Sequence, residues 1–438
     1  MRLFFLIVSF SILLCSPVYA DEFDNLSFSG ALKTRAVQIR YPEHSIFNEF
    51  SGEEVYGGGR TDNSVNLRLN AAWDVSSQWG ADIHYEVETR HSEALDVFSD
   101  SLNVFQEDSL PSDDKRLMNL TQVFGSGGER ASFHRLDRLS INFQGNQNVL
   151  KIGRQAISWG NGMMYSPMDF FNPFDPTLID TEYKSGDDML YAQRLFSNGD
   201  DAQLVYVARR NKIGDLSGNE SSLAMKYHGF VGESEFDLLL SQHYNDEVLA
   251  LGAVHSLGGT VVRGDIVATR VKPDSERVEE EGNTSTFVSL VANLSYSWVS
   301  WGKNMSGVFE YFHNGFGLAH DDYNVIALQQ KSELFERISR GELFTLGKNY
   351  VALSVLVEAS PLWLLTPNML INGDDGSGLF QLVSQHDITQ DIQVSAALSF
   401  PFGEDGSEFG GLEISSIGSK NKYVSYTSNI YVQASWYF

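Results

Sequence analysis

Val65-Asn66-Leu67-Arg68-Leu69-Asn70-Ala71-Ala72-Trp73 places an apolar side chain at every odd position and polar ones at 66, 68 and 70. After Asp74-Val75-Ser76-Ser77-Gln78 the alternation resumes in Trp79-Gly80-Ala81-Asp82-Ile83-His84-Tyr85-Glu86-Val87-Glu88. One face is Trp, Ala, Ile, Tyr and Val, and the other is Gly, Asp, His and two Glu. Successive side chains of a strand point to opposite faces, so each segment is a strand with one apolar and one charged face. In a sandwich the apolar face meets a second sheet. In a membrane barrel it meets lipid, and the charged face lines the lumen.

The same period of two runs along the chain and predicts strands at 26–40, 64–73, 79–90, 136–143, 149–158, 189–196, 202–210, 221–230, 235–244, 247–255, 260–271, 286–298, 303–314, 348–359, 363–371, 379–386, 392–402 and 423–438. The alternation is poor at 149–158, 189–196 and 379–386. Links after even-numbered strands are short (74–78, 144–148, 197–201, 231–234, 256–259, 299–302, 360–362, 387–391). Those after odd-numbered strands are often long (41–63, 91–135, 159–188, 272–285, 315–347, 403–422). A barrel with both ends of its sheet on the inner side of the membrane needs this alternation, and a sandwich does not. The expected fold is all-β: a transmembrane antiparallel up-and-down barrel of about eighteen strands, with sixteen as the alternative.

The final strand sets Ile430, Val432, Ala434, Trp436 and Phe438 against Asn429, Tyr431, Gln433, Ser435 and Tyr437. It resembles the C-terminal strand of bacterial outer-membrane barrels, which usually ends in Phe. The resemblance implies that Trp436 and Phe438 form a signal read by the barrel assembly machinery, and that the surroundings are outer-membrane lipid and lipopolysaccharide. The N-terminus agrees: Met1-Arg2, an apolar run from Leu3 to Leu14, and Val18-Tyr19-Ala20 before Asp21 read as a cleaved secretory signal over 1–20. That apolar run is too short to span ~30 Å of hydrocarbon as a helix. Cleavage removes Cys15, the only cysteine, and leaves 30 basic against 57 acidic residues, a net charge of −27. Residues 21–438 then form a single barrel domain, although length alone, at about 150 residues per domain, suggests two or three.

Composition narrows the function. A mean hydropathy of −0.20, with no long apolar run after the first twenty residues, excludes a helical membrane protein. Acidity disfavours nucleic acid, and 12% aromatic content argues against a disordered chain. A barrel of sixteen to eighteen strands is wide enough for an aqueous channel.

The third external loop, 159–188, is too apolar to sit in solvent: it carries Trp159, Met163, Met164, Tyr165, Met168, Phe170, Phe171 and Phe174 among three prolines. The barrel interior is where it can bury them. Its position resembles that of the inward-folded third loop of general porins. Folded inward, Trp159, Asn161, Tyr165, Asp169, Asp175, Asp180, Glu182 and Lys184 would form the constriction. Polar-face positions Arg68, Asp82, His84, Glu86, Glu88, Arg138, Arg263, Asp265 and Glu358 would line the lumen wall. Charges in a narrow low-dielectric passage select by sign, and acidic excess favours cations or neutral solutes.

Leu150-Lys151-Ile152-Gly153-Arg154-Gln155-Ala156-Ile157-Ser158-Trp159-Gly160, with Asn172-Pro173 following, resembles a strand-to-loop segment of large porin-like barrels, the alginate-export type included. Polyuronate export would want a basic lumen, and this chain is acidic. The expected function is a porin-like channel for passive diffusion of small hydrophilic solutes or cations. The alternative is a closed or gated barrel for export, surface assembly or docking, and a barrel hydrolase is a third reading. Loop 315–347 suits a short amphipathic helix capping the mouth, from apolar residues at 326, 328, 334, 335 and 338. Loop 91–135, with Glu107, Asp108, Asp113 and Asp114, reads as a mobile external loop. Asp374-Asp375-Gly376 and Glu404-Asp405-Gly406 read as turns, and Glu279-Glu280-Glu281 as a solvated run. No cofactor or metal motif is found, and no enzyme is expected; Ser241 and His243 share one strand face without a catalytic motif. A homo-oligomer is left open.

Overall fold

The computed structural model describes residues 25–48, 58–92, 110–272, 284–320, 323, 332–417 and 420–438. The expected signal over 1–20, Glu107, Asp108, the acidic run at 279–281 and positions 326 and 328 lie outside the described residues.

The strands are β1 (Leu26–Arg40), β2 (Gly59–Asp74), β3 (Trp79–His91), β4 (Thr121–Gly127), β5 (Arg130–Gln144), β6 (Asn148–Gln155) and β7 (Asp187–Leu195). They continue as β8 (Asp201–Val207), β9 (Ser222–Val231), β10 (Ser234–His243), β11 (Asp246–Leu257), β12 (Thr260–Val271), β13 (Ser285–Ser300) and β14 (Lys303–His313). The remainder are β15 (Asn349–Ser360), β16 (Trp363–Asn372), β17 (Gly378–Asp387), β18 (Ile392–Phe402), β19 (Leu412–Ile417), β20 (Lys420–Val424) and β21 (Ser428–Tyr437). All but β4, β19 and β20 form a closed antiparallel barrel of 18 strands, the expected number. The seam is β21, which pairs with both β1 and β18. Gly30 and Phe438 exchange backbone hydrogen bonds there (2.7 and 3.0 Å).

Alternation sorts the residues as expected. Leu69, Ile83, Ile141, Leu251, Phe309 and Val432 are exposed on the outside, while Arg68, Glu86, Asp265 and Gln433 are buried on the inside. At the short-turn end, Trp73, Trp79, Trp301, Trp363 and Phe438 are exposed, an aromatic girdle of the kind that marks a membrane interface.

Two departures from the sequence expectation have clear causes. The inner face is not uniformly polar. Met189, Val205, Leu239 and Val267 form one buried cluster with Trp159, Met168, Phe170 and Phe171. Phe312, Tyr350, Leu370 and Leu379 form another with Tyr165. Strands around β7 and β17 alternate poorly because both of their faces are apolar where a loop covers the inner one.

Loop 91–135 is not wholly irregular. β5 pairs with β6 only from Leu139 onward, and its outer part, Arg135 to Arg130, pairs with β4. β4 therefore fills the wall position that β6 vacates where the chain turns into the lumen. Gly153 sits just before that turn with φ of 125°, and a Cβ there would lie 2.1 Å from the Leu139 carbonyl oxygen. Arg154 and Asp188 pair in register on the face that Ile152 and Leu190 expose outward. Segment 113–120 covers them. Arg154 Nε donates to Asp188 (2.8 Å), its Nη1 to Asp113 (2.9 Å) and its Nη2 to the Met118 carbonyl (2.7 Å). A charged pair on a lipid-side face must be paired and hydrogen-bonded, and this stretch of loop supplies both.

Candidate functional site: the belt inside the barrel

The chain from Ala156 to Gly186 stays inside the barrel, and its anchors follow the wall strand by strand. Trp159 Nε1 donates to Gln203 on β8 (2.8 Å). Asn161 N and Nδ2 donate to Asp265 on β12 (both 2.7 Å), and Asn293 on β13 donates to the Asn161 carbonyl (2.9 Å). The Glu310 carboxylate on β14 accepts three successive backbone N–H groups, from Met163 (2.6 Å), Met164 (3.0 Å) and Tyr165 (2.7 Å). The Tyr165 ring stacks on Phe312 with centroids 4.8 Å apart.

Further round, Gln381 on β17 donates to the Thr177 carbonyl (2.9 Å), and Gln433 on β21 to Asp180 (2.9 Å). Lys33 on β1 bridges Asp180 (2.6 Å) and Glu182 (2.7 Å). Arg68 on β2 lies 3.9 Å over the Tyr183 ring, and Arg138 on β5 donates to the Lys184 carbonyl (2.5 Å). The loop thus makes a circuit of the inner wall as a belt, more than a fold into one side of it.

Each acid of the belt has a partner. Asp169 pairs with Lys184 (2.6 Å), which also donates to the Ile157 carbonyl and Ser158. Burial pushes the Asp169 carboxyl up to about 6, against the pull of the Lys184 ammonium, and pushes Lys184 down. Burial also raises Asp175, which accepts from the N–H and hydroxyl of Thr177 (both 2.7 Å). At Asp180 burial is outweighed by the Lys33 ammonium, and the carboxyl lies below its ordinary value.

Of the residues expected on the lumen wall, Arg68, Glu86, Glu88 and Asp265 are buried on the inner face of the barrel. On β2 to β5, Glu86 pairs with Arg135 and approaches Arg68 (3.4 Å), Arg68 pairs with Asp137 (2.9 Å), and Glu88 with Arg90 (2.6 Å). Asn142 donates to Asp82 (2.9 Å). The ring of His84 lies across the β3–β5 ladder from Arg138. Arg263 donates to Ser295 (2.9 Å), and Glu358 accepts from Asn304 (2.6 Å); neither has an oppositely charged partner among the described residues. Reading the sequence missed Lys33, Asp137, Glu310 and Gln433. Two of these had a legible signal: Glu310, a carboxylate on the inward side of an apolar strand, and Gln433, on the polar face of the last strand.

The mouth carries a cap. Helix α1 (Ser332–Ser339) lies within loop 315–347 as expected, with Leu334 buried beside Leu318, Tyr323, Leu346 and Leu412. Arg337 bridges Asp246 (2.5 Å), and Glu342 bridges His243 (2.8 Å). Burial would raise Glu342, but His243 and Arg340 hold it down to about 2. His243 also hydrogen-bonds Ser222 (2.9 Å) and is walled by Phe170 at 4.5 Å, whereas Ser241 bonds the Leu223 carbonyl.

Glu408, in the loop between β18 and β19, accepts from Leu346 N–H (2.7 Å), the Tyr350 hydroxyl (2.5 Å) and the Asn372 amide (2.7 Å). Burial nonetheless pushes it from 4.5 up to about 7. A folded value above the ordinary one means that the folded cap binds more protons between the two values. Its stabilising share is complete below the ordinary value and is lost as pH rises through the folded one. Urea midpoints measured between about pH 5 and 8 should fall with rising pH, and Glu408→Gln should flatten that slope. An identical slope in the variant would show that another group titrates.

A closed barrel of this width, apolar outside, polar inside and belted within, has the porin fold, that of bacterial outer-membrane proteins. No protein-family model matches the chain, and no curated protein matches it in sequence. Among solved structures it is similar to a BenF-like porin from Pseudomonas fluorescens Pf-5, at 9% identity over 95% of this chain and 99% of that one, with a TM-score of 0.54. It is also similar to Acinetobacter baumannii OccAB4 (8% identity, 96% and 100% coverage, TM-score 0.52) and to Pseudomonas aeruginosa OccK8 (OprE) (8%, 95% and 98%, 0.52). At these identities the likeness is one of fold.

Proposed function

We propose that the chain is an outer-membrane channel through which small hydrophilic solutes, cations included, diffuse passively, and that it is not an enzyme. The observation that carries this reading is the belt. A barrel of about eighteen strands is too wide for its own side chains to fill. The inner loop is tied to the wall at intervals around the whole circuit. Trp159, Asn161, Tyr165, Asp169, Asp175, Asp180, Glu182 and Lys184 then set the bore. The wall charges Arg68, Asp82, His84, Glu86, Glu88, Arg138, Arg263, Asp265 and Glu358 set its field. Residues 1–20 act as the cleaved leader, 21–438 as one domain, and Trp436 with Phe438 as the assembly signal.

Because the belt acids are paired, the cation preference should be modest. Purified protein in planar bilayers should give stepwise conductance with a reversal potential on the cation side; a silent or anion-selective barrel overturns the proposal. A second reading, a gated barrel for export or docking, is favoured by one observation, the helical cap bolted to β10 and β11 through Glu342 and Arg337.

A further inference from the structure

Near the short-turn end of the lumen the inner wall departs from its polar rule where no loop among the described residues covers it. There β13 to β16 enclose a concavity of about 350 Å³ lined by Val299, Asn304, Ser306, Leu356, Glu358 and Leu364. The strand registers place them side by side: Val299 opposite Asn304, Ser306 opposite Leu356, and Glu358 opposite Leu364. Val299 is 70% exposed and Leu356 37%, whereas the apolar inner residues higher in the barrel are covered by the belt. One carboxylate stands among them. Glu358 accepts from the Asn304 amide at 2.6 Å and meets no cation among the described residues.

An exposed apolar surface beside a lone carboxylate fits a solute with an apolar body and a cationic head. Water covers both at a cost that such a solute removes, by apolar burial at the leucines and by charge at Glu358. The Glu86, Glu88 and Asp137 carboxylates on β3 and β5 are already matched to arginines, Asp82 accepts from Asn142, and Asp265 and Glu310 are occupied by the belt.

We propose that this concavity is a solute-binding subsite for amphiphilic organic cations, aryl- or alkylammonium ions, on the inner side of the constriction. The proposal rests on the channel reading for its biological use, but binding is measurable without conduction. The probe is phenethylammonium, with phenylacetate as its charge-reversed counterpart, titrated calorimetrically into the purified full-length barrel in detergent. Phenethylammonium should bind and phenylacetate should not. Glu358→Gln should weaken binding about fivefold, ~1 kcal/mol. Leu356→Ser should weaken it independently, so that a folding defect in one variant does not decide the matter. Folded barrels are identified by their shifted mobility on unboiled gels.

No heat of binding, equal binding of the two probes, or binding untouched by both substitutions overturns the subsite. Binding without bilayer conductance supports the subsite and rejects the channel reading. Conductance without binding does the reverse.

Discussion

A chain lacking residues 161–183 is expected to conduct several-fold more current per channel than the wild type. Those residues are the greater part of the belt, from the Asn161 contact with Asp265 to the Tyr183 ring under Arg68. Conductance through a narrow passage is controlled by its tightest section, and among the described residues the belt is the segment that follows the lumen wall around its circuit. The deletion also uncovers Val205, Leu239, Val267 and Phe312 to water. Some loss of stability should accompany it, so the measurement belongs in bilayers with protein shown to be folded. An unchanged conductance would mean that the bore is set elsewhere, with the cap around α1 the next candidate.

Substituting Arg154 by Met is expected to destabilise the barrel by ~3–5 kcal/mol, the cost of leaving buried charge without its partner. Arg154, Asp113 and Asp188 have side chains only 2%, 2% and 1% exposed. Removing the guanidinium strands two carboxylates on a lipid-side face. It also frees segment 113–120, held besides by Met118 N–H to Asp188 and Leu120 N–H to Asp113 (both 2.7 Å). Urea unfolding should show the loss, and proteolysis should cut the 113–120 segment in the folded variant. A loss below ~1 kcal/mol would place Arg154 with the surface pairs that contribute little. Replacing all three residues by apolar ones should restore much of the stability.

Most of the barrel could be read from period two. Each of the eighteen expected strands matches an observed one, often to within two residues, and β1, β12 and β18 agree closely. The last strand begins at Ser428, later than 423, because Lys420–Val424 is taken into a hairpin with β19. β4 escaped notice because its one ladder, to β5, is broken between Phe124 and Gly127, and its side chains do not alternate between apolar and polar. The belt's existence was legible from aromatics and prolines in a place where solvent could not hold them. Its route was not, since Lys33, Glu310, Gln381 and Gln433 lie far from it in sequence.

What the sequence determined by itself is local and periodic. Alternation assigns each side chain to lipid or lumen, and turn length assigns each link to one end of the barrel, because a strand has only two faces and a hairpin only two ends. Tertiary structure decided which charges are free. In sequence the belt appears as a run of carboxylates facing one lysine. Closure of the sheet brings Lys33 to Asp180 and Glu182, and the backbone N–H groups of residues 163–165 to Glu310. Closure leaves Glu358 unmatched beside Leu356 and Leu364. Pairing depends on distances across the lumen, and those exist only once β21 has met β1.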